Sequence, residues 1–172
     1  MPDLSESKGL VLDASVWINL LATEAMEAVL EAVAVVCHAP EQVIDEVRRH
    51  PVTGMMFSAD SHPLRQKPLI SNTSLEGTEL DLFLEIVGAP DRDALGDGEA
   101  AAIAVAVSRG LTLVVDDRKA RRILRERFSQ VQTCWTVDLL QAPSVLKALG
   151  AQRAGECFEK ARRFGRMHVP HR

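Results

Sequence analysis

Short, continuous apolar runs alternate along this chain with segments in which apolar residues recur every three or four positions. The runs predict buried parallel strands, and the spacing predicts helices packed on a core. The predicted strands cover residues 9–12, 33–37, 68–71, 111–115 and 133–135. The predicted helices cover residues 16–30, 40–49, 79–87, 99–108, about ten residues after 117, 136–140 and, in two pieces, the chain from 144. This alternation predicts an α/β fold whose parallel sheet is covered on both faces.

The pattern indicates a single domain, because no internal repeat or linker divides the chain. We predict one domain over residues 1–172, with a core at about 9–142 and a C-terminal helical extension at 143–172. Residues 51–77 contain several prolines and show no sustained period, so they are expected to be irregular.

Composition narrows the class of protein. The 172 residues are 47% hydrophobic and 26% charged, which favours a folded globular domain over a disordered chain. The apolar run Ala100–Val107 is far shorter than the roughly 20 residues needed to span a bilayer. The N-terminal residues lack the basic and apolar regions of a secretory signal. The three cysteines lack metal-binding spacing and are expected to be buried, reduced thiols of a cytoplasmic protein. Because its apolar runs are short, no membrane partner is expected.

Charge is distributed unevenly along the chain. Residues 1–86 carry 5 Lys and Arg against 14 Asp and Glu, whereas residues 118–172 carry 13 against 4. An acidic first half and a basic end predict a carboxylate-rich site beside a surface that attracts phosphate. The alternative is that the basic residues are solvated helix faces.

Acidic residues follow two of the predicted strands directly. Asp13 ends the first strand, and Asp116 and Asp117 end the strand at 111–115. Ligands of open α/β sheets bind beyond the carboxyl ends of the strands, so these side chains are candidates for a site. Helix capping is the alternative role for each of them.

Two further acids lie at helix positions that suit the same site. Glu99 opens a nearly all-apolar helix, and Asp97 competes with it for the role. Glu46 falls at the border of the apolar side of its helix, whereas Asp45 points away from that side. The alternative for Glu99 is a residue of the first helical turn that interacts with the helix dipole, and the alternative for Glu46 is a solvated surface glutamate.

If the sheet gathers these acids, their charges repel one another and a cation is needed to neutralise them. Oxygen ligands without Cys or His favour Mg²⁺ or Mn²⁺ over Zn²⁺. The five histidines show no ligand spacing, and the chain has no convincing Ser-His-Asp or Cys-His arrangement. These features favour a site built around a divalent cation over one built around a protein nucleophile.

Four segments resemble, in order and spacing, the acidic motifs of PIN domains. They are LVLDASVWINL, PEQVIDEV, LGDGEAAAIAVA and LTLVVDDRKARRIL, and the resemblance covers residues 9–142. It is nearest to the VapC-like toxins of toxin–antitoxin pairs. It implies a three-layer α/β/α fold with a central parallel sheet of four or five strands, and an endoribonuclease that uses Mg²⁺ or Mn²⁺.

The resemblance also assigns roles by position. It implies that the catalytic acids are Asp13, Glu46, Glu99 and Asp117, and that the metal ligands are Asp13, Glu99 and Asp117, with Asp116 competing for the last place. Ser15 and Asn19 are expected to support the Asp13 carboxylate by hydrogen bonding. The long segment 51–77 and the stretch after about residue 142 depart from the compact family pattern. The role of that C-terminal stretch, whether in packing, in a dimer contact or in contact with RNA, is left open by the resemblance.

The expected partners are an RNA substrate, a cognate antitoxin protein and a second copy of the chain. Arg118, Arg121 and Arg122 follow the last acids and are expected to hold RNA phosphates, as are Lys119 and Arg125. One alternative is a catalytically silent PIN-like module that binds RNA or protein. A phosphotransfer enzyme with Asp13 as nucleophile is disfavoured, because Ser15 occupies the place of the second aspartate in that class.

Overall fold

A five-stranded, all-parallel sheet forms the centre of the computed structural model, which describes Leu4, residues 7–65 and residues 67–170. The strands are β1 (Leu10–Leu12), β2 (Cys37–Pro40), β3 (Ile70–Thr73), β4 (Thr112–Val114) and β5 (Thr133–Cys134). Their order across the sheet is β3-β2-β1-β4-β5. The predicted α/β class and parallel sheet are confirmed. The first and last residues of the predicted 1–172 domain lie outside the described residues.

Helices pack in two groups around the sheet. The helices of the described chain are α1 (Ala14–Ala22), α2 (Met26–Val33), α3 (Glu41–Glu46), α4 (Thr78–Val87), α5 (Asp97–Arg109), α6 (Arg118–Arg127), α7 (Thr136–Leu140) and α8 (Pro143–Lys160). Helix α5 packs on β1, β2 and β4 and is contacted by α3 and α4, whereas α2 and α7 pack on α8. None of the described helices is both long and apolar enough to span a membrane.

Strand β1 sets the position of the acidic residues. All three of its residues are fully buried, because β2 and β4 pair with it on its two sides. The pairing continues one residue beyond β1, where the backbone N–H of Asp13 donates to the Val114 carbonyl over 3.2 Å. Asp13 and the acids that follow β4 therefore lie at the same edge of the sheet.

The single helix predicted over residues 16–30 is divided into α1 and α2. Thr23 ends α1, because its hydroxyl donates to the Leu20 carbonyl and accepts from the Ala25 N–H. Glu24 then adopts a left-handed conformation with φ of 55°. The apolar period continues across this break, so periodicity alone did not reveal it.

Strand β2 lies later in the chain than predicted. Helix α2 continues to Val33 and ends at Ala34, which is left-handed with φ of 58°. The strand therefore begins at Cys37 and includes Pro40, which was predicted to start a helix. Helix α3 is correspondingly shorter than the predicted 40–49.

The C-terminal end is helical in two pieces, as predicted. Helix α8 is broken at Gly150, whose φ of 73° and ψ of 160° are not helical, and a π-helical turn follows at Ala161–Gly165. This turn packs on α1. A Cβ atom at residue 165 would lie 2.3 Å from Asn19 Oδ1 and 2.8 Å from Asn19 Cα, so only glycine permits this approach. The three cysteines are free and buried, as expected.

Candidate acidic site

Asp13 is buried, and only one of its two carboxylate oxygens accepts a hydrogen bond from a described residue. Its Oδ2 atom accepts hydrogen bonds from the Ser15 hydroxyl at 2.7 Å and from the Ser15 N–H at 3.3 Å. Its Oδ1 atom is buried without a hydrogen-bond partner in the described part of the chain. Burial raises the pKa of Asp13, although the bonds from Ser15 oppose the shift. An unpartnered buried oxygen of this kind is costly and favours an additional ligand.

Glu99 is the acid whose pKa is raised by burial and by the charges of three other carboxylates. Burial raises the pKa of Glu99 to about 7, and the charges of Asp13, Asp117 and Glu46 contribute to this rise. Its Oε2 atom accepts a 3.0 Å hydrogen bond from the Gly96 N–H at the start of α5. Four carboxylates from separate segments are therefore close enough to interact, and we call Asp13, Glu46, Glu99 and Asp117 the acidic cluster.

Glu46 joins this cluster from the end of α3. Its side chain is exposed, and Oε1 accepts a 2.8 Å hydrogen bond from the Gly98 N–H in the first turn of α5. A Cβ atom at residue 98 would lie 2.7 Å from the carboxyl carbon and both oxygens of Glu46. The glycine thus admits the carboxylate to the positive end of α5. Asp45 is exposed, as predicted.

The two adjacent aspartates after β4 have different surroundings. Asp117 caps α6 by accepting from the Ala120 N–H at 2.7 Å, and its charge acts on Glu99. Asp116 is buried away from this cap, and Thr136 donates to both of its oxygens, through N–H at 2.8 Å and Oγ1 at 2.7 Å. Burial raises the pKa of Asp116, and the Thr136 bonds oppose that shift.

Asn19 supports Asp116 rather than Asp13, which corrects the expectation from the sequence. Its Nδ2 atom donates to Asp116 Oδ2 at 2.8 Å and to Thr136 Oγ1 at 3.3 Å. In the sequence, Thr136 is simply the first residue of the helix predicted over 136–140. Because Thr136 is 117 residues from Asn19 along the chain, no local pattern connects them.

Two of the arginines expected to bind RNA are instead bonded within the protein. Arg121 donates to the carbonyls of Val115 and Cys134, both at 3.1 Å, and its guanidinium lies 3.9 Å from the Trp135 ring centroid. Arg122 forms ion pairs with Asp93 and Glu126. These contacts disfavour the predicted roles of Arg121 and Arg122 in RNA binding. Arg118 is exposed and remains a candidate.

Basic residues of α6 also hold the loop that leads to Glu99. Lys119 Nζ donates to the carbonyls of Ala94 at 2.5 Å and Asp91 at 3.2 Å. Arg122 adds a bond to the Arg92 carbonyl. Since Asp117 caps the same helix, these contacts fix the relative positions of Asp117 and Glu99.

The acidic cluster fits a divalent cation in its chemistry but does not form a closed set of ligands. Within the described ranges, no three His, Cys, Asp or Glu side chains are arranged to hold a metal ion as they stand. Glu46, Glu99 and Asp117 each accept a backbone N–H at a helix start, so one oxygen of each carboxylate is already bonded within the protein. The oxygen-only donors and the unpartnered Asp13 Oδ1 nevertheless suit Mg²⁺ or Mn²⁺.

Replacing Glu99 with glutamine is expected to stabilise the metal-free protein at pH 8 but not at pH 4. The pKa of Glu99 is about 7 in the folded state, above its ordinary 4.5, so folding favours the protonated form. Wild-type stability should therefore fall as the pH rises from about 4.5 to 7. Glutamine removes that loss, which we expect to be on the order of 1–2 kcal/mol because Glu99 is partly exposed.

Urea denaturation in EDTA at the two pH values measures this difference. Glu76→Gln is the matched control, because Glu76 is an exposed glutamate. An equal gain for Glu99→Gln at both pH values would contradict the raised pKa.

The family of the chain follows from a comparison with known proteins. A family model described as a PIN domain matches residues 9–146, from the start of β1 into the first turn of α8. A search of curated proteins found no match. The matched range spans well over half of the chain and includes all members of the acidic cluster. The chain therefore belongs to the PIN-domain family.

Proposed function

We propose that this protein is a Mg²⁺- or Mn²⁺-dependent endoribonuclease that hydrolyses phosphodiester bonds of RNA. PIN domains are generally nucleases and typically use divalent metals. The observation that carries the proposal is the meeting of the Glu46 and Glu99 carboxylates at the start of α5, where the charges of Asp13 and Asp117 also raise the pKa of Glu99. Carboxylates from four separate elements would repel a phosphodiester unless a cation neutralised them.

The proposed roles follow from the surroundings of each acid. Asp13, Glu99 and Asp117 would hold the cation, and Glu46, at the end of α3, would add negative charge where its carboxylate meets the start of α5. Asp116 would support the neighbouring Asp117 rather than bind the cation directly. Its two oxygens already accept hydrogen bonds from Asn19 and Thr136. A divalent cation bound there would lower the pKa of a water molecule and orient it toward the phosphodiester.

Cleavage of single-stranded RNA by the full-length protein tests this proposal. We expect internal cleavage with Mg²⁺ or Mn²⁺ and none in EDTA, and a DNA strand of the same sequence tests the preference for RNA. Calorimetric titration with Mn²⁺ supplies a readout that is independent of activity. Cleavage that persists in EDTA would contradict the metal dependence.

The second candidate is a PIN-like module that binds RNA or protein without cleaving it. It is favoured by two observations: no three acids of the described residues are arranged to hold a metal ion, and Glu46, Glu99 and Asp117 each already accept a backbone N–H. RNA binding without cleavage at any concentration of Mn²⁺ would support this candidate over the nuclease.

We further propose the role of a VapC-like toxin that acts in the cytoplasm, pairs with a small antitoxin and forms a homodimer. The motif resemblance supports this role, and the family match is consistent with it. Expression that arrests growth only when the acidic cluster is intact would support a toxin.

A further inference from the structure

The C-terminal end carries a basic segment that lies beyond the family match. We call Ala161–His168 the basic segment; the match ends at residue 146. Ala161 and Met167 are buried, and the Met167 N–H donates to the Ala161 carbonyl at 3.1 Å. The segment is therefore anchored at both ends, and its backbone has a defined path.

This segment lies beside the residues that hold Asp116, which precedes Asp117 of the acidic cluster in the chain. Gly165 packs directly on Asn19, whose amide donates to Asp116. The His168 ring is centred 5.1 Å from the ring of Trp135, the residue before Thr136. The basic segment thus packs against Asn19 of α1 and Trp135 at the start of α7, next to the side chains that bond to Asp116.

The charged side chains of the segment differ in their surroundings. Arg162 pairs with Glu159 at 2.8 Å, as expected of a solvated helix face. Arg163 and Arg166 are exposed, and neither forms an ion pair with another described residue. Phe164 is 37% exposed, and the Arg163 guanidinium lies 5.1 Å from its ring. The Arg163 guanidinium beside the exposed Phe164 ring, with the exposed Arg166 two residues further along the chain, forms a surface suited to single-stranded nucleic acid.

We propose that the basic segment binds the RNA backbone beside the acidic cluster, with Arg163 and Arg166 contacting phosphates. This inference rests on the proposed function, because RNA is the substrate assigned to the acidic site. The basic segment also supplies positively charged side chains that Arg121 and Arg122 do not, because the guanidinium groups of these two residues are bonded within the protein. A polyanion that approaches four carboxylates needs positive charge along its path, and this favours RNA over an acidic protein as the occupant.

Binding of a short, fluorescently labelled single-stranded RNA tests the proposal. Anisotropy is measured in the Asp13→Asn background, so that the RNA is not cut, at several salt concentrations. Arg163→Gln with Arg166→Asn is expected to raise Kd about tenfold and to reduce the slope of log K against log salt by about 1.4, or roughly 0.7 for each lost phosphate contact. Asparagine suits position 166 because φ there is 62°.

Arg153→Gln is the matched control. Arg153 is also an exposed arginine of the C-terminal part, but it belongs to α8 and lies beside Leu21 and Glu24, outside the basic segment. We expect it to change neither Kd nor the salt slope. An equal loss in the control, or an unchanged slope in the double variant, would overturn the proposal. An acidic protein partner would then be the remaining occupant.

Cleavage by the wild-type chain is measured in parallel, which separates the two proposals. Metal-dependent cleavage without any effect of the double variant on RNA binding overturns this inference alone. RNA binding that depends on Arg163 and Arg166, without cleavage by the wild type, overturns the nuclease and leaves the basic segment as an RNA-binding surface.

Discussion

The Asp13→Asn substitution should reduce RNA cleavage at least about 100-fold while leaving the folded protein as stable as the wild type or more so. The substitution keeps the shape of the side chain, and the amide oxygen that it introduces can still accept from Ser15, as Oδ2 of Asp13 does. It removes a buried negative charge whose cost is evident from the raised pKa of Asp13. Stability and activity are therefore expected to change in opposite directions, as at sites where function opposes stability.

Initial cleavage rates, Mn²⁺ titration and urea denaturation test these effects separately. Asp45→Asn is the control, because Asp45 is an exposed acid one residue from Glu46. Ser15→Ala should have a smaller effect, since it removes the 2.7 Å hydrogen bond to Asp13 but keeps the charge. Unchanged cleavage in Asp13→Asn would exclude Asp13 from the chemistry, and lost stability would show that its carboxylate is structural.

The edge of the sheet at which the acids meet was predictable because it follows from parallel topology. Apolar runs located β1 and β4, and residues that directly follow neighbouring parallel strands must share one edge. Asp13 beside Val114 is a direct result of that rule. Glu46 was placed at the border of its helix by periodicity, and the structure shows its carboxylate at the start of α5.

The partners of these acids were not predictable, because they depend on contacts between distant parts of the chain. Asn19 and Asp116 are 97 residues apart, so no local pattern favoured Asp116 over Asp13 as the acceptor. The roles of Asp116 and Asp117 differ only because Thr136 and Ala120 approach them from different elements. The basic character of α6 likewise did not reveal that Arg121 bonds to the carbonyls of Val115, just after β4, and Cys134 in β5.

Alanine at Gly165 should lower the free energy of unfolding by about 1–3 kcal/mol, as expected for overpacking. The added Cβ would lie 2.3 Å from Asn19 Oδ1 and 2.8 Å from Asn19 Cα. The side chain of Asn19 can move aside, but its Cα belongs to α1, so the backbone must shift. Because Asn19 donates to Asp116 at 2.8 Å, the same change should also disturb the Asp116 pocket and reduce cleavage.

Gly155→Ala is the matched control for this substitution. A Cβ there meets nothing within 4 Å in α8, so alanine is expected to stabilise the helix by up to about 1 kcal/mol. Asn19→Ala combined with Gly165→Ala should cost less than the sum of the two single changes, because it removes the collision with Oδ1. Urea denaturation of the two single variants and the double variant measures this difference. The NMR signal of the Asn19 side-chain amide reports the hydrogen bond from Asn19 to Asp116. If Gly165→Ala stabilised the protein as Gly155→Ala does, the C-terminal turn would not pack on Asn19, and the basic segment would lose its place beside the acidic cluster.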